Sequence, residues 1–238
     1  MLIGQREFQP RIWSILLTLF GVALFVTLGN WQLDRAAYKA DIIDRYEQRM
    51  SLPVQDFDPR AAVEAVEFSR VRVHGHFDPD HHFLVDNEIH QGQAGYRLLT
   101  PFRIAGSGRM ILVDRGWLPL GHSRDQLPLL KDPLSRESIE GIVTAYSAEG
   151  FRFGETRLTE SWPQLIPYID LAALHQQFST DLLPLLLRLA PDQPGHYIRA
   201  WHPVWAAPEK SRAYAVQWFS FAVLAVILFF ILNLRKVE

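Results

Sequence analysis

The sequence predicts an α+β membrane protein: two transmembrane helices, N- and C-terminal, flank an antiparallel β-sheet or partly open barrel domain with a few helices. Three observations carry that prediction. Ile12 to Leu33, and the stretch between Arg212 and Arg235, are each 22 residues without a formal charge. At a rise of about 1.5 Å per residue each run reaches roughly 33 Å, enough to cross a bilayer core. Nearly all the charge and most of the 15 prolines lie between the two runs. Within that middle region Val71, Val73, Gly75 and Phe77 alternate with Arg72, His74 and His76, the period of a half-buried strand.

The expected boundaries are a short N-terminus at 1–11, a first span at 12–33, a β-rich domain at 34–212, a second span at 213–234 and a C-terminus at 235–238. The first run exceeds the apolar core of a secretory signal, and no small-x-small cleavage pattern follows it, so it is read as a retained helix. Arg6 and Arg11 precede it, and Arg235 and Lys236 follow the second span. Short basic flanks stay on the cytoplasmic side, which puts both termini there and the middle domain in the periplasm of a bacterial inner membrane. Trp13, Trp31 and Trp218 stand near span ends, as interfacial anchors do.

Beyond the first span, helix formers continue through DRAAYKADIIDRYEQRM to about Met50, and Pro53 stops them. Leu33, Ala37, Ile42 and Tyr46 approximate an apolar stripe on this extension. Residues 54–68 read as a loop with a short helical piece. The strand at 71–77 turns at Asp-Pro-Asp and returns at Phe83 to Asp86. Gly-containing connectors at 91–95 and 106–109 then suggest two hairpins through YRLLTPFRI and MILVDRGWLPLG. A polar connection at 122–138 leads to a strand from Ile139 to Tyr146. Asp170 is an N-cap for LAALHQQF. Leu182 to Leu189 is an apolar strand whose Pro184 places it near an edge, and HYIRAWHPVW is a last strand. The total is six or seven strands and two helices.

Composition narrows the function. A net charge of −2 without a basic stripe argues against nucleic acid. The chain has no cysteine, which excludes disulfides, thiolate nucleophiles and cysteine-ligated metals. There is no G-x-S-x-G, P-loop or G-x-G-x-x-G, and His122, Ser123 and Asp125 are merely adjacent on a loop, so no catalytic residue is assigned and the protein is not expected to be an enzyme. RVHGHFDPDHH offers His74, His76, Asp78, Asp80, His81 and His82; a metal pair at i and i+2 is one reading, and a solvent face with a polar turn is the one adopted, so no metal site is assigned. On the second span Tyr214, Gln217, Trp218 and Phe221 share one helix face. They form an interfacial belt, with Gln217 bonding the first helix, or they line a shallow pocket. A flat apolar cofactor with charged edges suits such a pocket, and haem fits, with propionates near Arg212, Lys210 or Arg35.

Four segments together carry a family resemblance: GNWQLDRAAYK after the first span, GYRLLTPF and ILVDRGWLP in the domain, and RAW followed by YAVQWF at the second span. In this order they resemble the Surfeit locus protein 1 family of cytochrome c oxidase assembly factors. The resemblance implies a chaperone that assists delivery of haem a to oxidase subunit I, with haem a synthase as a further partner and no catalytic reaction of its own. The alternative is a membrane scaffold that stabilises subunit I or the synthase without binding haem. The family's haem-contacting residues map onto Tyr214, Gln217 and Trp218; Arg115 and His202 are further candidates. The family's proposed ligand histidine lies three residues before the tyrosine, where this chain has Ser211, and serine is not a useful axial ligand.

Overall fold

A computed structural model of the chain describes residues 2–3, 6–121, 127–130, 137–145, 158–159, 161–178, 180–204 and 207–236. In chain order the elements are β1 (Leu2–Ile3), β2 (Arg6–Phe8), α1 (Ile12–Met50), β3 (Gln55–Asp56), α2 (Val63–Val66), β4 (Arg70–Phe77), β5 (Phe83–His90) and β6 (Gln93–Ile104). They continue with β7 (Arg109–Pro119), β8 (Ser138–Ala145), β9 (Gln164–Ile166), α3 (Leu171–Gln177), β10 (Asp181–Leu189), α4 (Pro208–Leu232) and β11 (Leu234–Lys236). Two compact units result: Met1–Arg45 with His202–Glu238, and Tyr46–Trp201.

In the helical unit, α1 and α4 are both long and apolar enough to cross a membrane. Their large apolar side chains point outward: Phe20 is 67% and Val216 64% exposed, which in water would forfeit most of their burial energy and in lipid does not. Where the helices meet, the residues are small. Gly29 of α1 lies under the Phe219 ring, where a Cβ would come within 2.6 Å of it, and α4 buries Ser211, Ala215 and Ala222. Without a hydrophobic drive between spans, such small faces let helices approach closely. The extension of α1 ends at Met50 as expected, but Leu33 and Ala37 are exposed, and its buried positions are Gly29, Ala36 and Lys39. The stripe read from the sequence therefore holds only at its far end, where Ile42 and Tyr46 are half-buried and Tyr46 meets the rings of Phe68 and Trp201. Outside the helices, β2 pairs with β1 and β11 in a small antiparallel sheet that no hydropathy signal announced.

In the barrel unit, β4 pairs with β6, β6 with β7, β7 with β10, β10 with β8 and β8 with β4. Five strands therefore close on themselves. Numbered along the chain they run 1-2-3-5-4 around the barrel, the order of OB-type Greek-key barrels. Val71, Val73, Phe77, Phe102, Val113 and Leu187 fill the interior, so the alternation read on β4 is correct. Closure depends on a switch inside β4: Arg70–His74 pair with β8, and Gly75–Phe77 pair with β6. A second apolar core, including Phe83, Leu99, Leu112 and Leu186, lies on the outer face with Leu174 of α3 and Ile166 of β9. Asp170 does cap α3, accepting the Ala173 N–H at 3.3 Å.

Three strand expectations change. β5 does not pair back onto β4 but joins β6 and β9, because the turn at Asp78 sends the chain outside the barrel. β10 is not an edge strand: it lies between β7 and β8, and its pairing with β7 is parallel. Pro184 is tolerated there because the ladder with β7 breaks between Leu182 and Leu186 and the ladder with β8 starts only at Leu185, so no pairing N–H is missing. The segment from His196 to Trp201 is not a strand; among the described residues it forms a bridge of Trp117 with Ile198, and Arg199 reaches the carbonyls of Arg115, Ala190, Gln193 and Pro194.

A row of alternating charge crosses four neighbouring strands of this unit. Arg188 on β10 donates to Asp114 on β7 at 2.6 Å, Arg97 on β6 donates to the same carboxylate oxygen at 3.1 Å, and the other end of Arg97 reaches Glu88 on β5 at 2.6 Å. By the two-residue period these side chains share the faces of Leu186, Leu112 and Leu99, so the row continues the outer core beyond its apolar end. Burial lowers the Arg188 pKa, to about 10 despite Asp114, which leaves the guanidinium charged at neutral pH.

Candidate functional site

The helical unit gathers most of the residues singled out on the second span. Trp218 is half-buried and stacked on Phe25 of α1, with ring centroids 5.9 Å apart and 23° between the planes. Phe221 meets both rings, 5.8 Å from each. Tyr214 and Gln217 are exposed on the outward side of α4. The shared face therefore splits: the indole leans on α1 while the phenol and the amide face away. One further turn toward the N-terminus of α4, Ser211 is 4% exposed and accepts a bond from Lys39 Nζ at 3.4 Å, and Lys39 itself is 6% exposed. Arg35 and Lys210 are close enough to act on the Lys39 charge, and Arg35 also lies 5.5 Å from the Trp31 ring. Arg212 pairs weakly with Glu209 at 3.7 Å. An aromatic wall is thus followed, within about two helical turns, by a cluster of cations.

His202 belongs to the same unit and is exposed in irregular chain. Arg115 belongs to the barrel unit. It is the extra residue of a β-bulge, since Leu98 pairs with Gly116 and Leu99 with Asp114. A bulge re-aims its side chain, and the Arg115 guanidinium is turned inward, 3% exposed, 5.3 Å from the Phe77 ring and 5.4 Å from that of Tyr197.

The histidine-rich turn is dispersed. His74 points at Asp56, 3.6 Å away, and His76 is exposed. Asp78 is 3% exposed, accepts from Arg103 at 2.9 Å and lies 2.7 Å from His81 Nδ1, whose ring sits edge-on to Trp162 and Phe178. Among the described residues no three His, Asp or Glu side chains gather as metal ligands; His122, Ser123 and Asp125 lie outside the described residues. Burial by itself would raise the Asp78 pKa, but the His81 contact, the Asp80 N–H and Arg103 hold it below the usual range. His82, 3.0 Å from Thr100 Oγ1, is pushed below its ordinary 6.5 by burial and then by the Arg115 charge. Both depressed values have the same sign. Unfolding takes up protons on His82 below pH 6.5 and on Asp78 below about 4, so each acidic step removes stability that is complete above it. The thermal midpoint of the full chain in detergent is expected to fall between pH 7.5 and 5, and His82→Gln is expected to flatten that dependence; an unchanged slope in the variant would assign it elsewhere.

Reasoning from sequence passed over Lys39, Asp114, Arg97 and Arg188. Three of these had a usable signal, a lone charge or one adjacent pair inside an otherwise apolar strand, as in GYRLLTPF, LLPLLLRLA and MILVDRGWL. Such a charge is buried only if paired.

The chain is 26% identical over 219 residues to a SURF1-like protein of Caenorhabditis elegans, covering 79% of this chain and 63% of that one. Similarity to a SURF1-like protein of Drosophila melanogaster is 26% over 256 residues, covering 95% and 78%. The cytochrome oxidase assembly protein SHY1 of Saccharomyces cerevisiae is 30% identical over 118 residues, covering 48% and 30%. The match with a Caenorhabditis briggsae relative spans only 48% of that protein, so the chain covers about half to two-thirds of the length of these nematode relatives. The SURF1 family profile matches residues 19–223, from within α1 to within α4, and the chain is a member of the SURF1 family.

Proposed function

We propose that this protein is a membrane-anchored assembly factor for cytochrome c oxidase that assists delivery of haem a to subunit I. Family membership supports the oxidase, and the observation that carries the cargo is the aromatic wall followed by cations on the helix pair. A haem ring would lie in the apolar layer against Trp218 and Phe221, with its propionates toward Arg35, Lys210 or Arg212. No step of covalent chemistry is required of the protein, which binds its cargo and yields it. Protein purified from cells that make haem a is expected to show a haem spectrum, and Trp218→Ala to weaken binding about tenfold through the lost ring contact. Colourless wild-type protein, with haem synthesis verified, would overturn direct binding.

One observation favours a second reading, a scaffold that holds subunit I or haem a synthase through its spans without touching haem. Ser211, at the position of the family's ligand, is buried in the helix interface and bonded by Lys39. Its hydroxyl is no axial ligand, and nothing in that contact needs one. On this reading Ser211→His changes neither haem content nor oxidase activity; on the first it raises haem content. The visible spectra of wild type and Ser211→His, read side by side, decide between them.

A further inference from the structure

A groove of about 460 Å³ runs along the helix pair, with Arg11 and Trp13 at one end and Phe25 at the other. From Arg11 to Phe25, at about 1.5 Å per residue, it is roughly 21 Å long. Spread over that length, its volume gives a cross-section of roughly 20 Å², the width of one hydrocarbon chain. A helix, about 10 Å across, is too wide for it. Phe25, Gly21, Thr18 and Ser14 lie on one stripe of α1, and Ala225, Leu228 and Leu232 on one of α4. A Cβ at Gly21 would meet nothing within 4 Å, so helix contact does not account for that glycine as it does for Gly29. The polar side chains of the groove are already bonded within the helices: the Ser14 hydroxyl donates to the Arg11 carbonyl at 2.7 Å, Thr18 to the Ser14 carbonyl at 2.8 Å and the Asn233 amide to the Phe229 carbonyl at 2.7 Å. An apolar chain laid there strips none of them of a partner. The Arg11 end differs in kind. Arg11 and Trp13 are both exposed, and the segments 1–11 and 233–238 carry Arg6, Arg11, Arg235 and Lys236 against Glu7 and Glu238. The register of β2 with β11 sets Arg6 opposite Lys236.

We propose that this groove binds one anionic phospholipid, with an acyl chain lying along α1 and α4 as far as Phe25 and the phosphate held at Arg11. A slot one chain wide beside two spans is filled by what surrounds them, and the bilayer supplies chains. Charge selects the headgroup. Arginine's planar fork suits phosphate oxygens, a cluster of bases at a span end attracts anionic lipid, and the same cluster repels the ammonium of a zwitterionic one. Trp13 sits where an indole meets the headgroup level. The groove touches the aromatic wall only through Phe25, which lines the one and stacks in the other, so the lipid site does not rest on the cargo proposed for that wall.

The probes are dioleoyl phosphatidylglycerol and dioleoyl phosphatidylcholine, which share their chains and differ in net charge, titrated into the delipidated full chain in detergent and counted by native mass spectrometry. One phosphatidylglycerol per chain is expected to saturate first, with phosphatidylcholine about tenfold weaker. Arg11→Gln is expected to bring phosphatidylglycerol down to the phosphatidylcholine level. Gly21→Phe lays a ring across the groove and replaces a poor helix former, so it is expected to weaken phosphatidylglycerol about tenfold without lowering the thermal midpoint. Should that variant fold poorly, Ala225→Phe obstructs the same groove from α4. Adducts that accumulate stepwise with no headgroup preference are surrounding lipid only, and tight binding that survives both ring substitutions lies elsewhere on the chain; either result overturns the proposal. So would dimers that retain no lipid and dissociate in Gly21→Phe, since they would give the groove to a second copy of the chain.

Discussion

Asp114→Asn is expected to destabilise the barrel unit by about 3–5 kcal/mol, the cost of leaving a buried charge uncompensated. The substitution keeps the side chain's size and an oxygen that can still accept the Gly116 N–H, which Asp114 Oδ1 now accepts at 3.0 Å. What it removes is the single carboxylate that both Arg97 and Arg188 address. Glu88 remains for Arg97, but Arg188 is left with no carboxylate partner in the row, on a strand paired on both sides. Because the row ties β5, β6, β7 and β10 together, the loss should appear as a lower denaturant midpoint with an unchanged slope, the mark of a change in stability without a change in the surface exposed. Combining it with Arg188→Met should recover part of the loss, since the double variant removes the orphaned cation as well. A midpoint shift equivalent to less than about 1 kcal/mol would show that water already reaches the row and screens it.

Gly75→Ala is expected to cost about 2–6 kcal/mol, and to lower the yield of folded protein accordingly. Two terms add. The backbone at Gly75 has φ +153°, where a side chain costs about 1–3 kcal/mol. A Cβ there would come within 1.9 Å of the Arg103 carbonyl oxygen, and crowding of that kind costs about 1–3 kcal/mol more. The neighbour is backbone of the paired strand, which cannot rotate away as a side chain would. Gly75 is also where β4 exchanges its β8 partner for β6, so relief of the clash would open the barrel seam. The expected readout is the unfolding midpoint of detergent-purified variants, with Gly106→Ala as the control. Gly106 too has a positive φ, +70°, but it meets nothing within 4 Å, so it isolates the backbone term from the collision. Equal effects at the two positions would mean that the seam relaxes.

Much of this architecture is local in the chain and was readable there. Whether a segment is apolar enough to cross a bilayer depends on the summed transfer of about 20 adjacent residues, so the two long apolar helices were visible in the chain as the runs 12–33 and 213–234. The end of α1 before Pro53, the inward side of β4 and the Asp170 cap likewise depend on neighbours within a few positions. Pairing does not. Pro184 argued for an edge because a central strand normally needs every N–H, and only the interrupted ladder around it, formed with strands some 40 and 70 residues earlier, shows that none is missing there. The parallel contact of β7 with β10 and the seam at Gly75 are equally invisible to periodicity, since they depend on which distant strands compete for an edge.

The same division runs through the candidate sites. The residue types on the second span, the aromatic wall and the serine at the family's ligand position, are properties of the chain alone. Their orientation is not: small residues at 29, 211, 215 and 222 draw the two helices together, and that packing turns Trp218 toward Phe25, leaves Tyr214 and Gln217 outside and buries Ser211 against Lys39. The charge row goes further in that direction, because Glu88, Arg97, Asp114 and Arg188 come from four strands and meet only when those strands pair. A charge in an apolar strand announces that it must be paired, while its partner is chosen by the strand order, where nonlocal packing energies outweigh any preference of the segment itself.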